Sequence, residues 1–192
     1  DLDRSVLTST MTILPEGVAL LTRPEAMEQC ESVTPEVVER ILEILSDAYE
    51  HVVLDVPGHF EPQTVPIFAR ADLILVVCQM LVPSIRNAKR FCEALNHLGV
   101  PSERIEVVVN RADGRSGRLT EKDVQDTMKK PVFATIPNDF QFVARSIDLG
   151  KPISSLDENN AVRAAIRKIA KKGMTSPKAS AQPKEKDREQ KR

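Results

Sequence analysis

Three apolar runs in this sequence end on residues whose types could do chemistry. After Val52, Val53 and Leu54 the chain delivers the carboxylate of Asp55, and Pro57 with Gly58 turns it sharply behind that residue. An acid on such a strand-end turn can sit near a magnesium ion and its water shell. A strand-end aspartate that caps its own loop explains the same residues and is the commoner case. After Val107, Val108 and Val109 come Asn110 and Arg111. A planar amide offers a donor and an acceptor together, as the edge of an adenine requires, and a guanidinium can stack or pair with phosphate. An asparagine that bonds its own backbone in a loop is the competing explanation. The third run ends at Ile136, Pro137, Asn138 and Asp139, which could present Pro137 and backbone groups to a base or could be a plain turn.

These residues need a frame that brings strand ends to one edge. Gly17 to Thr22 is a short apolar run behind the turn at Pro15 to Gly17, and its composition predicts a buried strand. Thr34 before Pro35 opens a helix through Val37, Val38, Ile41, Leu42 and Leu45, ending near Tyr49. His51 to Asp55 reads as the next strand. The alternation continues with a helix over Pro62 to Arg70, a strand over Asp72 to Val77, a helix over Pro83 to Leu98 and a strand over Ile105 to Asn110. Thr120, with Asp123 three residues on, starts a short helix to about Met128; Pro131 to Ile136 is a last strand, and Gln141 to Leu149 a further helix. Asn159 is expected to cap a helix through Lys172. Near-continuous apolar strands between amphipathic helices predict an α/β fold, mostly a parallel sheet with helices on both faces. In such a sheet the ligand crevice lies at the carboxyl ends of the strands, where Asp55, Asn110 and Pro137 stand.

Composition narrows the function. The chain has 192 residues, 41% apolar, with Lys+Arg 27 against Asp+Glu 28. That balance argues against a whole-chain nucleic-acid binder. The cysteines Cys30, Cys78 and Cys92 lack the close pairing of a zinc site or disulfide framework, which suits a reducing, cytoplasmic setting. His51, His59 and His97 stand far apart and complete no nucleophile, acid and base set, so no catalytic residue is assigned. No apolar run approaches the roughly 20 residues that span a bilayer. Residues 1–172 are expected to form one domain that begins without a cap or structured start, and the polar segment 173–192 a disordered tail.

The linked motifs in His51 to Lys89, then Val107 to Arg111, then Val132 to Asp139, resemble the MinD/ParA-type ATPases, and within them the CpaE/TadZ branch that works with Flp or Tad-type pili. The resemblance covers roughly Leu2 to Lys172. It implies that Asp55 is the acid of the Walker B strand and a contact to magnesium, that Pro57 and Gly58 form the switch turn, and that Asn110 contacts adenine with Arg111 and Pro137 on the base side. ATP and Mg2+ are the implied cofactors, and a homodimer acting with pilus or secretion-system proteins the implied assembly, peripheral at the inner membrane or a cell pole. The switch turn is one residue tighter than the form common in MinD.

One departure limits the enzymology. The seven glycines include no G-x-x-x-x-G-K-[S/T] loop; only Gly150 precedes a lysine, and Pro152 follows it. Without that nest of amides the chain alone is expected not to hydrolyse ATP, and the missing loop is expected upstream of Asp1. Two alternatives stand beside the ATPase reading. One is a non-catalytic scaffold or localisation module. The other is a ParA-like DNA partitioning factor, which the balanced charge disfavours. The basic helix ending at Lys172 could also touch anionic lipid, although its Ala-rich stripe without an aromatic anchor suits packing on a sheet better.

Overall fold

The computed structural model describes residues 3–22, 33–113 and 119–174. Its elements run in the order α1 (Arg4–Thr10), β1 (Thr12–Ile13), β2 (Ala19–Leu20), α2 (Pro35–Ala48), α3 (Val65–Arg70), β3 (Ile74–Gln79), α4 (Val82–His97), β4 (Ile105–Ala112), α5 (Glu121–Met128), β5 (Val132–Pro137), α6 (Phe140–Asp148) and α7 (Ala161–Met174). The α/β class is as expected. The chain gathers into two compact units, one from residues 1–71 and 91–101, the other from 72–90 and 102–192.

The first unit is mostly helical. Asp3 accepts the N–H of Val6 at 2.8 Å and so caps α1, a structured start where the sequence predicts none. Leu7 of α1 packs with Ile44 and Leu45 of α2, joined by Met11, Leu21, Ile41 and Tyr49. Thr34 caps α2 through the Val37 N–H, with Pro35 in its first turn, as its sequence predicts. Phe60, Phe68 and Phe91 form an aromatic trio. Phe60 stacks on Phe91 with centroids 4.6 Å apart, and Phe68 meets both edge-on at 5.6 Å.

Two expected strands of this unit are corrected. Gly17 to Thr22 is not a buried strand: only Ala19–Leu20 pairs, antiparallel to Thr12–Ile13, around a turn where Gly17 adopts φ +82°, and Val18 and Leu20 remain exposed. His51 to Asp55 forms no strand, and Val53 is 95% exposed. A strand exists only when its amides and carbonyls meet a neighbour, and no described strand pairs with this segment.

The second unit holds a three-stranded parallel sheet in the order β3-β4-β5. β4 is central, and Ile105, Val107, Val108 and Val109 are at most 2% exposed. That burial explains why Val107 to Val109 is a continuous apolar run rather than an alternation, while Glu106 is only half-buried. β3 alternates instead: Ile74, Val76 and Cys78 are buried while Leu75 and Val77 are exposed. Cys78 is the small buried apolar group its sequence suggests, and burial pushes its thiol pKa up.

α7 packs on β5 and is tied to it by Lys172, whose Nζ lies 3.8 Å from the centre of the Phe133 ring and donates to the Phe133 carbonyl. Two boundaries shift. Asn160 rather than Asn159 caps α7, accepting the Val162 N–H at 2.8 Å, and the helix runs through Gly173 to Met174. The rest of the expected tail, 175–192, lies outside the described residues, as do Cys30 and part of the Ala112 to Arg118 loop.

At the start of α5 the expected capping box is present. Thr120 Oγ1 accepts the Asp123 N–H, and Asp123 Oδ2 accepts the Thr120 N–H at 2.7 Å. The Thr120 hydroxyl donates to the same carboxylate at 2.6 Å, and the hydroxyl and then the amide hold Asp123 below the usual carboxylate range. A lowered pKa adds stability above the unfolded value, about 3.9 for Asp, and that stability fades as pH falls through the folded value. Asp123→Ala should therefore melt below the parent chain near neutral pH, with the gap closing below about pH 4. Thermal melts at stepped pH check this; a gap that stays constant through strong acid would deny the carboxylate its role.

Candidate functional site

The parallel register brings Asn110 and Pro137 to the same edge of the sheet. Asn110 pairs with Gln79 at the end of β3, and Ala112 pairs with Pro137 at the end of β5. The Asn138 N–H extends the ladder by donating to the Ala112 carbonyl at 3.0 Å. Between these pairs β4 is irregular. The register with β5 shifts between Val109 and Ala112, and Arg111 adopts φ +52°, a left-handed conformation that costs a non-glycine residue of order 1 kcal/mol. The irregularity leaves Asn110 and Arg111 without a register partner on β5, while Asn110 keeps its place beside Gln79 of β3. Asn110 Oδ1 then accepts the Arg111 N–H at 2.9 Å, which leaves its two Nδ2 hydrogens for another acceptor.

A pocket of about 300 Å³ opens at this edge, lined by Asn110, Arg111, Ile136 and Pro137, by Asp139, Phe140, Val143 and Ile147 around α6, and by Val162 of α7. Asp139 builds the opposite wall. Its Oδ1 caps α6 by accepting the Phe142 N–H at 3.0 Å, and its Oδ2 accepts from Asn160 Nδ2 at 2.8 Å. One carboxylate thus joins the starts of α6 and α7, the two helices that bound the pocket. The sequence carries a signal for Asp139, a cap residue before a helical run, but the same residues suit a plain turn, and the role as a wall of the site is missed. A second hollow of about 300 Å³ lies along α7 between Arg163, Arg167, Lys168 and Lys171.

The structure therefore brings Asn110, Arg111 and Pro137 together on one pocket of the second unit. Asp55, Pro57 and Gly58 belong to the first unit, where Asp55 and Gly58 are exposed in a segment without regular structure. No group of three or more His, Cys, Asp or Glu side chains that could hold a metal occurs among the described residues. Gly150, the only glycine in the sequence that a lysine follows, closes α6 at φ +58°: its N–H bonds to the Ile147 carbonyl and the Lys151 N–H to that of Ser146. The Gly150–Lys151 pair is a helix terminator.

No family model matches the chain. An uncharacterized ATP-binding protein of Methanocaldococcus jannaschii is 27% identical over 158 residues, 82% of this chain and 59% of that protein. The septum site-determining protein MinD of Thermotoga maritima is 25% identical over 146 residues, covering 74% and 53% respectively. The similarity of this chain is thus to MinD/ParA-type ATP-binding proteins. The chain spans 53% to 59% of the lengths of those two relatives. The fold of the chain matches the crystal structure of a ParA family ATPase from Chlorobium tepidum with a TM-score of 0.82 at 22% identity, over 88% of this chain and 70% of that one. No described helix is long and apolar enough to cross a membrane.

Proposed function

We propose that this chain holds the base of an adenine nucleotide in the pocket formed by Asn110, Arg111 and Pro137. The observation that carries the reading is the break in β4–β5 pairing at Asn110 and Arg111, where Asn110, its side-chain oxygen engaged by the Arg111 N–H, lines a pocket at the carboxyl edge of a parallel sheet. Pro137 and Ile136 supply apolar contact, and the Arg111 guanidinium supplies positive charge.

The base pocket suits a purine: it is concave, mostly apolar and carries few polar groups, the usual make-up of a small-molecule site. Magnesium suits the chain only as a passenger on the nucleotide's phosphates, because one exposed carboxylate, Asp55, makes no protein cage. When bound, the metal would neutralise phosphate charge, and Asp55 would hold its water shell. Pro57 and Gly58 form the turn that would respond to it.

In this reading nucleotide binding serves ATP-dependent self-association and recruitment of partners. The motifs at Val107 to Arg111 and Val132 to Asp139 favour a CpaE/TadZ-type role in pilus assembly or secretion, peripheral at the inner membrane or a cell pole. With Gly150 and Lys151 engaged in closing α6, hydrolysis by this chain alone is not expected.

Isothermal titration of ATP with magnesium into the chain, compared with Asn110→Ala, tests the pocket. Loss of the amide donors should weaken binding about tenfold, the worth of one hydrogen bond of roughly 1.4 kcal/mol. Equal heats from both proteins would mean that the base does not use this amide.

A further inference from the structure

The side of the pocket formed by α6 is apolar and partly exposed. Phe140, the first residue of α6, is 71% exposed, and Ile147, two turns on, is 74% exposed. Both line the pocket, with Val143 and Ala144 between them, and the spacing i, i+3, i+4, i+7 puts all four on one helix face. A scattered surface phenylalanine needs no explanation. This one lines a concave site that Asn110 also lines.

Its ring is also uncommitted. Phe60, Phe68 and Phe91 pack on one another, and Phe133 lies under Lys172. Among the described residues Phe140 has no such aromatic or cationic partner. Nor is the ring needed to start the helix, because the Asp139 carboxylate does that. What the position offers is a bare π face at the mouth of a purine-sized pocket, and stacking on an aromatic side chain is how proteins hold a base by its face rather than its edge.

We infer that Phe140 is the stacking platform for the base, the ring system covering its exposed face while the base edge meets the Asn110 amide. The inference rests on the nucleotide reading above and adds to it a residue that determines affinity and base preference. A larger π surface covers more of the ring, so purines should be favoured over pyrimidines. Because the platform contacts only the base, it should act on adenosine as well as on ATP.

The test uses the full chain, which contains no tryptophan, so that Phe140→Trp installs a single tryptophan at the platform, excited selectively beyond the absorption of Tyr49. Adenosine and cytidine are titrated into the parent, Phe140→Ala, Phe140→Trp and Asn110→Ala, by calorimetry and by tryptophan emission. The parent should bind adenosine more tightly than cytidine. Phe140→Ala should weaken adenosine by about 5- to 100-fold, the contribution of one base–aromatic stack. Phe140→Trp should keep adenosine affinity and change its emission on saturation. The exposure of Phe140 leaves the fold intact in each variant, which circular dichroism checks. If Phe140→Ala binds adenosine like the parent while Asn110→Ala does not, the platform is wrong and the base pocket stands. If the parent binds no adenosine, both fail.

Discussion

Leu95→Ala should lower the free energy of unfolding by about 2–5 kcal/mol, the range for deleting a fully buried leucine. Leu95 is 0% exposed in the last turn of α4 (Val82–His97), and its backbone is engaged along with its side chain. The Val100 N–H returns to the Leu95 carbonyl at 3.0 Å and the Gly99 N–H to that of Asn96 at 3.0 Å, with Gly99 at φ +85°. This is the paired hydrogen-bond closure in which apolar residues on either side of the glycine pack together, and Val100 is indeed only 5% exposed. A truncated side chain leaves a cavity at the point where the helix reverses, so little relaxation is available. Guanidinium denaturation should show the midpoint fall with an unchanged slope. A loss under about 1 kcal/mol would mean that the site collapses freely around the smaller residue.

The second large effect is expected at Asp139, where stability and site are coupled. Asp139→Ala removes the cap on the Phe142 N–H and strips Asn160 of its acceptor, so the starts of α6 and α7 both loosen. A lost cap is worth about 1 kcal/mol and an orphaned polar group about 1–3, giving an expected loss of roughly 1–3 kcal/mol once partial rehydration is allowed for. Asn160→Ala alone should cost about as much, because it leaves the α6 cap in place but removes the α7 cap together with the bond to Asp139. If the hydrogen bond between the two side chains matters, the double variant should be less destabilised than the sum of the singles by at least about 0.5 kcal/mol. Strict additivity in urea titrations would assign each side chain to its own helix only. Adenosine binding should fall in Asp139→Ala as well, since Phe140 and Val162 stand directly on the two loosened turns.

The sequence is informative where a short local pattern closes its own hydrogen bonds. Thr34 before Pro35 and Thr120 with Asp123 satisfy helix amides within three residues, and both caps form as predicted. The apolar run Val107 to Val109 of β4 (Ile105–Ala112) is unambiguous for a related reason, since its residues are walled in on both sides and the one charged residue before Asn110, Glu106, falls at the half-buried start of the strand. Legibility fails where the outcome depends on a distant partner. His51 to Asp55 has strand composition but no described strand beside it, and nothing in its own residues reports that. Asn159 and Asn160 are equivalent as caps by type; Asp139, 21 residues away, engages Asn160. Asn110, Arg111 and Pro137 can be singled out by their places at strand ends. The left-handed turn at Arg111 and the bare ring of Phe140 cannot, because the first is a backbone irregularity and the second is an exposure.

α7 (Ala161–Met174) carries five cations, yet they do not act on solvent equally. Lys172 directs its charge at the Phe133 ring and carbonyl, and Arg163 spends its guanidinium on the Leu156 carbonyl at 2.8 Å and on Glu158 at 3.6 Å. A neutral ring or carbonyl leaves a cation's net charge in place, whereas a counter-charge such as Glu158 offsets what Arg163 projects into solvent, where screening acts over about 8 Å at physiological salt. A count of lysines and arginines along this helix therefore overstates its pull on any anionic surface, and Arg167 and Lys168 carry more of the far field than their share of the sequence suggests.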